Sequence, residues 1–421
     1  MSIDNFFSKA FDEEIRDTFK TIKERNITQA KKLNQDLKKL DYLLRTFETF
    51  PPAHTFDEDF LVAAVDGSGI SSLCTYEDNF VQLVTAATSI HDTNTRENKP
   101  MKFKVIDNII PNKGIIIKIF NFPAERELFI QQFIDFCKSV YPMSDLIDPI
   151  LSHMTEYSKW DPKAFQITSE KELIKRIASS LRDYILFPSP LQEDNILQAV
   201  REIVEYSLAK QVVLCDLPIK YLILDGSLTI FPPGRQKVPL GDYLLRDLCL
   251  NARKHNIILC GLSKTHTLPG ATLISDIAKE RFGSNAHWFC RIPGRKDPHG
   301  KLSIYENREI PPAMAITYIF KFSKTSPIFR IDFDYFWWIK HIYNTDKEIM
   351  KEHEIALFRE LDFMSHEANW YGYPCPPGFA HKKCTITHVI RELLTSRAIQ
   401  IAKEMGISEE HLISARKKIG L

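Results

Sequence analysis

Two apolar stretches of this chain end in the same tripeptide. Residues 61–65 precede Asp66-Gly67-Ser68, and residues 221–224 precede Asp225-Gly226-Ser227. An apolar run of this length, bounded by glycine, predicts a buried β-strand. We therefore expect Asp66 and Asp225 to emerge at the rim of a sheet, where small neighbours leave room for a ligand. Because Asp-Gly is also a common turn sequence, each copy taken alone is better explained by a plain turn, and it is the repetition after two separate strands that favours a shared site.

The rest of the pattern predicts a mixed α/β protein. Apolar positions three and four residues apart predict a helical arm in residues 1–50, which ends at Pro51-Pro52. After Asp66 the pattern changes to alternation, which predicts a meander of antiparallel strands. The predicted strands are 72–76, 80–90, 101–120 and 256–262, with β-type runs within 286–336; the predicted helices are 125–140, 170–186, 193–213, 240–255 and a basic end at 383–419.

Composition narrows the class of protein. The chain has 421 residues, 44% of them hydrophobic, so it can bury a substantial core. Its 55 Lys and Arg balance 54 Asp and Glu, which excludes a protein that simply coats nucleic acid with a basic surface. No stretch approaches the ~20 apolar residues of a membrane span, and the N-terminal pattern is not that of a secretory signal. We expect a cytoplasmic protein without membrane contact.

The eight cysteines are scattered and mostly flanked by apolar residues, which favours buried free thiols over disulfides. One group offers a different interpretation. Cys375, His381, Cys384 and His388 follow the spacing C-x5-H-x2-C-x3-H, which supplies four potential zinc ligands. The group lacks the C-x2-C pair that is typical of structural zinc sites. Structural zinc, and with it a zinc-stabilised interaction protein, stays open as an alternative.

The order of the predicted elements suggests how a metal site could be assembled. A strand with an Asp, a hairpin, a long helix and a second strand with an Asp is typical of ribonuclease H-like folds, in which the helix supplies a third carboxylate. In the helix 193–213, Glu205 lies at the edge of the apolar stripe and can face the sheet. Glu202 is the competing candidate, and a surface glutamate without any role is the alternative to both.

Carboxylates at such a site have a clear chemical use. Hydrolysis of a phosphodiester requires neutralisation of developing charge and a hydroxide, and two hard cations ~3.5–4 Å apart supply both. Mn²⁺ or Mg²⁺ suits an all-oxygen ligand set. Tyr373 and His381 lie in a segment, 370–381, that is too rich in Gly, Pro and aromatic residues to predict regular structure. That segment is either a rigid surface turn or a loop that brings the imidazole and the phenol beside the metals.

These motifs together resemble the NurA nucleases. The resemblance is carried by residues 65–68, a helix glutamate, 224–228, Gly261-Leu262-Ser263-Lys264, Gly372-Tyr373-Pro374 and Ala380-His381, and it covers about residues 60–400. It implies a ribonuclease H-like fold, Mn-dependent cleavage of DNA, a homodimer, and a hexameric HerA ATPase as partner. It also implies that Asp66, Glu205 and Asp225 form the acidic metal site and that Tyr373 and His381 complete it.

The predicted organisation is an N-terminal helical arm (1–52), a ribonuclease H-like domain (53–400) with a helical insertion at about 124–190, and a helical tail (401–421). Lys264 is a candidate DNA-phosphate contact. No G-x4-G-K-[ST] loop is present, so an ATP-driven process needs a separate translocase. The resulting hypothesis is a metal-dependent DNA endo- or exonuclease that acts at ends or single strands, in DNA end resection and repair or in defence against invading DNA. The alternative is a non-catalytic DNA-binding adaptor of the translocase.

Overall fold

A computed structural model gives the fold of most of the chain. The described residues are 9–34, 46–52, 59–76, 79–93, 100–101, 106, 108–123, 125–163, 165–167, 169–189, 192–228, 237–264, 271–292, 314–322, 326–365 and 372–407. Residues 370–371 of the aromatic segment and residues 408–421 of the predicted tail lie outside this set, as do the side chains of residues 25–45 in the predicted arm.

The strands of the described residues form one large sheet and one small pair. Their bounds are β1 Phe47–Thr49, β2 Leu61–Tyr76, β3 Asn79–Asp92, β4 Ile115–Pro123, β5 Ile185–Leu186, β6 Ile219–Asp225, β7 Val238–Pro239, β8 Ile258–Ser263, β9 Trp288–Ile292, β10 Ala315–Lys321 and β11 Phe329–Asp334. The large sheet has the order β1-β9-β10-β11-β8-β6-β2-β3-β4, and β5 pairs with β7. Within the large sheet, β6 is parallel to both β2 and β8, whereas the other pairs are antiparallel.

Helices cover both faces of this sheet. Their bounds are α1 Lys9–Asn34, α2 Pro111–Gly114, α3 Arg126–Val140, α4 Ile147–Trp160, α5 Glu170–Ser179, α6 Leu181–Tyr184, α7 Glu193–Val213, α8 Leu240–Lys254, α9 Ala271–Phe282, α10 Tyr335–His341, α11 Lys347–Phe363, α12 Cys375–Cys384 and α13 His388–Glu404. None of the described helices is both long enough and apolar enough to cross a membrane.

The central strands are apolar on both faces because both faces are covered. Ala63 and Val65 of β2 pack in a core that includes residues of α3, α4, α7 and α8. Val62 and Ala64 point the other way, into a core that includes residues of α10, α11 and α12. Alternate side chains of a strand lie on opposite faces, so continuous apolar runs are what a three-layer arrangement requires. The predicted mixed α/β sheet flanked by helices is confirmed, while its ribonuclease H-like designation stays a prediction.

Several predicted elements differ in their limits. β2 does not end at Asp66; it continues to Tyr76 and pairs with β3 on both sides of an irregularity between Ile70 and Cys74. Within the predicted strand 101–120, the described residues are strand only from Ile115 onward, in β4. The basic end is a helix from His388 to Glu404. The proposed domain limits stay a prediction, and β1, within the predicted arm, pairs with β9 of the large sheet.

A buried group of charges ties two helices to the end of β11. The guanidinium of Arg246 in α8 contacts the carboxylates of Glu156 in α4 and Asp334 in β11. Arg253, two turns later in α8, pairs with the same two acids. Asp334 also accepts a hydrogen bond from the backbone N–H of Trp337, which caps α10. Each buried charge in this group therefore has a partner of opposite sign.

We expect Arg246→Met to lower the free energy of unfolding by about 3–5 kcal/mol, because it leaves buried acids with too little compensating charge. Arg246 is 1% exposed. Arg182→Met is the matched control, since that arginine is 47% exposed in its pair with Glu127 and a surface pair contributes about 0–1 kcal/mol. Urea unfolding measures both changes. Equal losses for the two variants would contradict a structural role for the buried group.

Candidate metal centre

The two aspartates of the repeated tripeptide lie side by side. β2 and β6 are parallel neighbours in which Val65 pairs with Leu224, so the next residue on each strand is an aspartate. Asp66 follows Ala64 by two positions and Asp225 follows Ile223 by two, and both of those residues belong to the core beneath α12. Because side chains two positions apart share a face of a strand, both carboxylates lie on the α12 side of the sheet.

Helix α12 brings an imidazole to Asp66. His381 Nδ1 is 2.7 Å from Asp66 Oδ2, and the imidazole side chain is 51% exposed. The prediction that residues 370–381 form an irregular loop is wrong from Cys375 onward, because α12 begins there. Pro376 and Pro377 lie in the first turn of this helix, where backbone N–H groups have no intrahelical acceptor and proline costs nothing.

Glu205 reaches the sheet from the opposite face through the space beside a glycine. Its neighbours Val204 and Leu208 in α7 pack in the core on that side. A Cβ on Gly67 would lie 2.2 Å from Glu205 Oε1, so the carboxylate occupies the volume that a side chain would fill. Gly67 is therefore not a turn residue; it is a strand residue that admits the carboxylate next to Asp66.

Of the two candidate glutamates, the structure places Glu205, and not Glu202, against β2. Glu202 accepts a hydrogen bond from Gln198 at 2.7 Å. Its carboxylate lies over Gly241 of α8, where a Cβ would come within 2.7 Å of Oε2. Sequence alone left this choice open because the two residues are nearly one helical turn apart.

Burial at this site disfavours the ionised form of the acids and so raises the pKa of Glu205 and of Asp66. Burial raises the pKa of Glu205 to about 8, against the charge of Arg201, whose Nε lies 3.1 Å from Glu205 Oε1. Burial and the neighbouring charge of Asp225 raise the pKa of Asp66, although its hydrogen bond with His381 acts in the opposite direction. Carboxylates that are crowded and buried together gain stability from a bound cation.

A lysine and a phenol accompany Asp225. Lys264 Nζ, just after β8, lies 3.1 Å from Asp225 Oδ2 and 5.0 Å from the centre of the Tyr373 ring. Burial and the charge of Asp225 raise the pKa of Tyr373 well above its usual value, so the phenol keeps its proton. The structure thus brings Asp225, Lys264 and Tyr373 together beside the Asp66–His381 pair.

The second tripeptide forms a turn that is anchored to β11. Gly226 has a φ of 127°, which glycine adopts readily. Ser227 donates a hydrogen bond to Asp332 Oδ2 at 2.7 Å, and the backbone N–H of Leu228 donates to the same oxygen at 3.1 Å. Asp332 is fully buried. These bonds fix the position from which Asp225 projects.

The potential metal donors differ from the predicted set. Among the described residues, one group offers ligand atoms that all lie within 4.8 Å of one another: Asp66, His381 and Cys384. Asp225 and Glu205 border this group without belonging to it. The four-ligand zinc set is not brought together, because neither Cys375 nor His388 joins the group. Sequence reasoning missed Cys384 as a neighbour of Asp66; its position one helical turn after His381 was the available signal.

Similar proteins are found by comparison of structures and not by comparison of sequences. No family model matches the sequence, and no curated protein matches it. A crystal structure of the NurA nuclease from Sulfolobus solfataricus is similar, with 14% identity over 93% of this chain and 97% of that chain and a TM-score of 0.46. NurA bound to dAMP and manganese has 11% identity over 89% of this chain and 94% of that chain, with a TM-score of 0.34.

A third structure, NurA with manganese, has 10% identity over 88% of this chain and 95% of that chain, with a TM-score of 0.34. All three are structures of the family that the sequence motifs resemble.

The position of Glu205 predicts a specific cost for a side chain at residue 67. We expect Gly67→Ala to destabilise the protein by about 1–3 kcal/mol, because the new methyl group and the carboxylate compete for one volume. Most of this cost should vanish when Glu205 is also replaced by Ala. Urea unfolding of the two single variants and the double variant measures the coupling. The same cost with and without Glu205 would show that the two groups do not meet.

The raised pKa of Glu205 predicts how stability depends on pH in metal-free protein. The folded state keeps this proton up to about pH 8, whereas the unfolded chain releases it near 4.5, so the carboxyl group loses its stabilising contribution as pH rises through this range. Glu205→Gln cannot ionise. We expect its stability relative to the parent to rise by up to about 2 kcal/mol between pH 6 and 8. Urea unfolding of both proteins across this pH range measures the difference, and a difference that does not change with pH would contradict the raised pKa of Glu205.

Proposed function

We propose that this protein is a divalent-metal-dependent nuclease that hydrolyses phosphodiester bonds at DNA ends or in single-stranded DNA. The observation that carries this proposal is the parallel register of β2 and β6, which sets Asp66 beside Asp225. On the same face, His381 bonds to Asp66 and Lys264 bonds to Asp225. Two acids, an imidazole and a lysine on one face of the sheet are the side chains that metal-dependent phosphodiester hydrolysis uses.

The residues present fit a bound cation. Asp225 lies close enough to Asp66 for its charge to raise the pKa of Asp66, and burial raises that pKa further. Oxygen donors of this kind suit Mn²⁺ or Mg²⁺. Asp66 and Asp225 would hold the cations, which we propose to be two, with Glu205 and His381 as further ligands. When bound, such cations neutralise charge on the phosphate and lower the pKa of a water molecule.

The other side chains have roles that follow from their positions. Lys264 can exchange its contact with Asp225 for one with a DNA phosphate, since an ammonium is a strong partner for phosphate oxygens. His381, held by Asp66 through Nδ1, presents a half-exposed imidazole whose other nitrogen can serve in one of two ways, either as a ligand of the cation or as the group that accepts and returns a proton. The protonated Tyr373 can donate a hydrogen bond that orients a phosphate or a water.

The partners follow from the motif resemblance and are part of the proposal. We propose a homodimer that acts with a HerA-type hexameric translocase, in DNA end resection and repair or in defence against invading DNA. The near-balanced charge of the chain is compatible with this arrangement, because a motor that feeds DNA into a narrow channel makes a basic exterior unnecessary.

The test is cleavage of labelled single-stranded and end-exposed double-stranded DNA by the purified protein with Mn²⁺ or Mg²⁺. We expect Asp66→Asn and Asp225→Asn each to lower the rate at least about 100-fold, because each removes a carboxylate that would hold the cation that stabilises the transition state. Chelation of the metal should abolish cleavage in the parent protein.

Matched controls lie at the far ends of the same strands. Asp59 and Asp216 are exposed acids that precede β2 and β6, and Asp59→Asn and Asp216→Asn should cleave like the parent. Unchanged cleavage in both site variants would refute the site. DNA binding by the folded parent without any cleavage would favour the non-catalytic adaptor instead.

A further inference from the structure

One group of potential metal ligands contains a thiol that the proposed hydrolysis does not use. A carboxylate oxygen of Asp66, a ring nitrogen of His381 and Sγ of Cys384 lie within 4.8 Å of one another. Cys384 follows His381 by three residues in α12, so both side chains lie on one face of the helix. The helix therefore presents a nitrogen and a sulfur donor to a strand carboxylate.

These three donors select a different class of cation from carboxylates alone. Mn²⁺ and Mg²⁺ favour oxygen donors, whereas thiolate combined with imidazole suits Zn²⁺ and related thiophilic ions. Donor atoms around a tetrahedral zinc ion lie roughly 3.4–3.8 Å apart, given bonds of about 2.0–2.3 Å. From the present separations, side-chain movements on the order of 1 Å reach that arrangement.

The site is rigid on one side and open on the other. The hydroxyl of Thr85 donates to the backbone carbonyl of Cys384 at 2.8 Å, and Lys383 Nζ donates to the carbonyl of Thr88 at 2.9 Å, so β3 holds the end of α12. Asp66 and Cys384 are buried, whereas half of the His381 side chain is exposed. A cation can enter past the imidazole and reach donors whose backbone is already fixed.

We propose that Asp66, His381 and Cys384 bind Zn²⁺ or another thiophilic divalent cation, and that this ion competes with the hard cations and inhibits hydrolysis. The inhibition rests on the proposed function, whereas zinc binding does not. On binding, the hydrogen bond between Asp66 and His381 is replaced by bonds to the ion. The S–H bond of Cys384 breaks, its proton goes to solvent, and the sulfur electron pair forms the bond to the cation, so no oxidant or reductant is needed.

The first experiment measures binding without reference to DNA cleavage. Metal-free protein is titrated with Co²⁺, whose bond to a thiolate gives a near-ultraviolet charge-transfer band. We expect one equivalent of Co²⁺ to give this band and Zn²⁺ to remove it by displacement. Cys384→Ser should lose the band and weaken zinc affinity at least about 100-fold. Loss of a residue that only supports a ligand weakens metal affinity roughly 10–100-fold, and loss of a direct ligand should cost at least the upper value. A band that persists in Cys384→Ser, or no band in the parent, overturns the proposal.

Cys375→Ser is the matched control, because Cys375 is a buried cysteine of the same helix that does not belong to the donor group. This variant should keep the cobalt band. If Cys384→Ser does not fold, His381→Ala tests the same site through its exposed member: weaker zinc binding supports the proposal and unchanged binding overturns it.

The second experiment adds Zn²⁺ to Mn²⁺-supported cleavage, with each variant compared with its own zinc-free rate. Cys384→Ser should resist zinc more than the parent does, and equal sensitivity would refute the inhibition. A folded parent that never cleaves DNA would refute the proposed function, whereas the cobalt titration would still decide whether the zinc site exists.

Discussion

Repulsion between two carboxylates set side by side is the constraint on which this site depends. The parallel pairing of Val65 with Leu224 places Asp66 and Asp225 at equivalent positions of neighbouring strands, and neither strand can shift without exposing its apolar residues. The sheet thus enforces a proximity that electrostatics opposes. Lys264 and His381 relieve part of it from one face, and a bound cation would relieve the rest.

Side chains from the two faces of the sheet approach each other at Gly67. On one face, Asp66 meets α12; on the other, Glu205 fills the space that Gly67 leaves open. A strand normally separates the side chains of its two faces, so only a residue without a side chain permits this approach. The glycine of the first tripeptide and the glycine of the second therefore serve different purposes, the first as a passage and the second as a turn with positive φ.

The sequence was sufficient for the parts of the fold that depend on local pattern. Continuous apolar runs predict β2 and β6, and the helical periodicity predicts α7. The shared tripeptide predicts that Asp66 and Asp225 lie near each other, which the pairing of β2 with β6 confirms. The ends of the strands are harder to predict from sequence. β2 runs through Asp66-Gly67-Ser68, a sequence that ordinarily forms a turn, and pairing with β3 keeps this segment extended.

The residues that sequence reasoning missed depend on tertiary placement. The contact between Gly67 and Glu205 joins positions 138 apart, and no local signal distinguishes that glycine from a turn residue. The sequence pattern suggests Cys384 only as one of four zinc ligands. In the structure, α12 packs on β2, and this contact brings Cys384 close to Asp66. The prolines of α12 suggested a loop because their tolerance in a first turn depends on where the helix begins.

The position of α12 in the chain sets the order in which the molecule matures on the ribosome. Every strand of the large sheet is translated before His381 emerges, and α12 is then fastened at its start by the bond from the Cys375 N–H to the Met364 carbonyl and at its end by Thr85. A nascent chain can build the sheet while the face that carries Asp66 and Asp225 still lacks the imidazole. The group of Asp66, Asp225 and His381 can therefore assemble only after α12 has been synthesised.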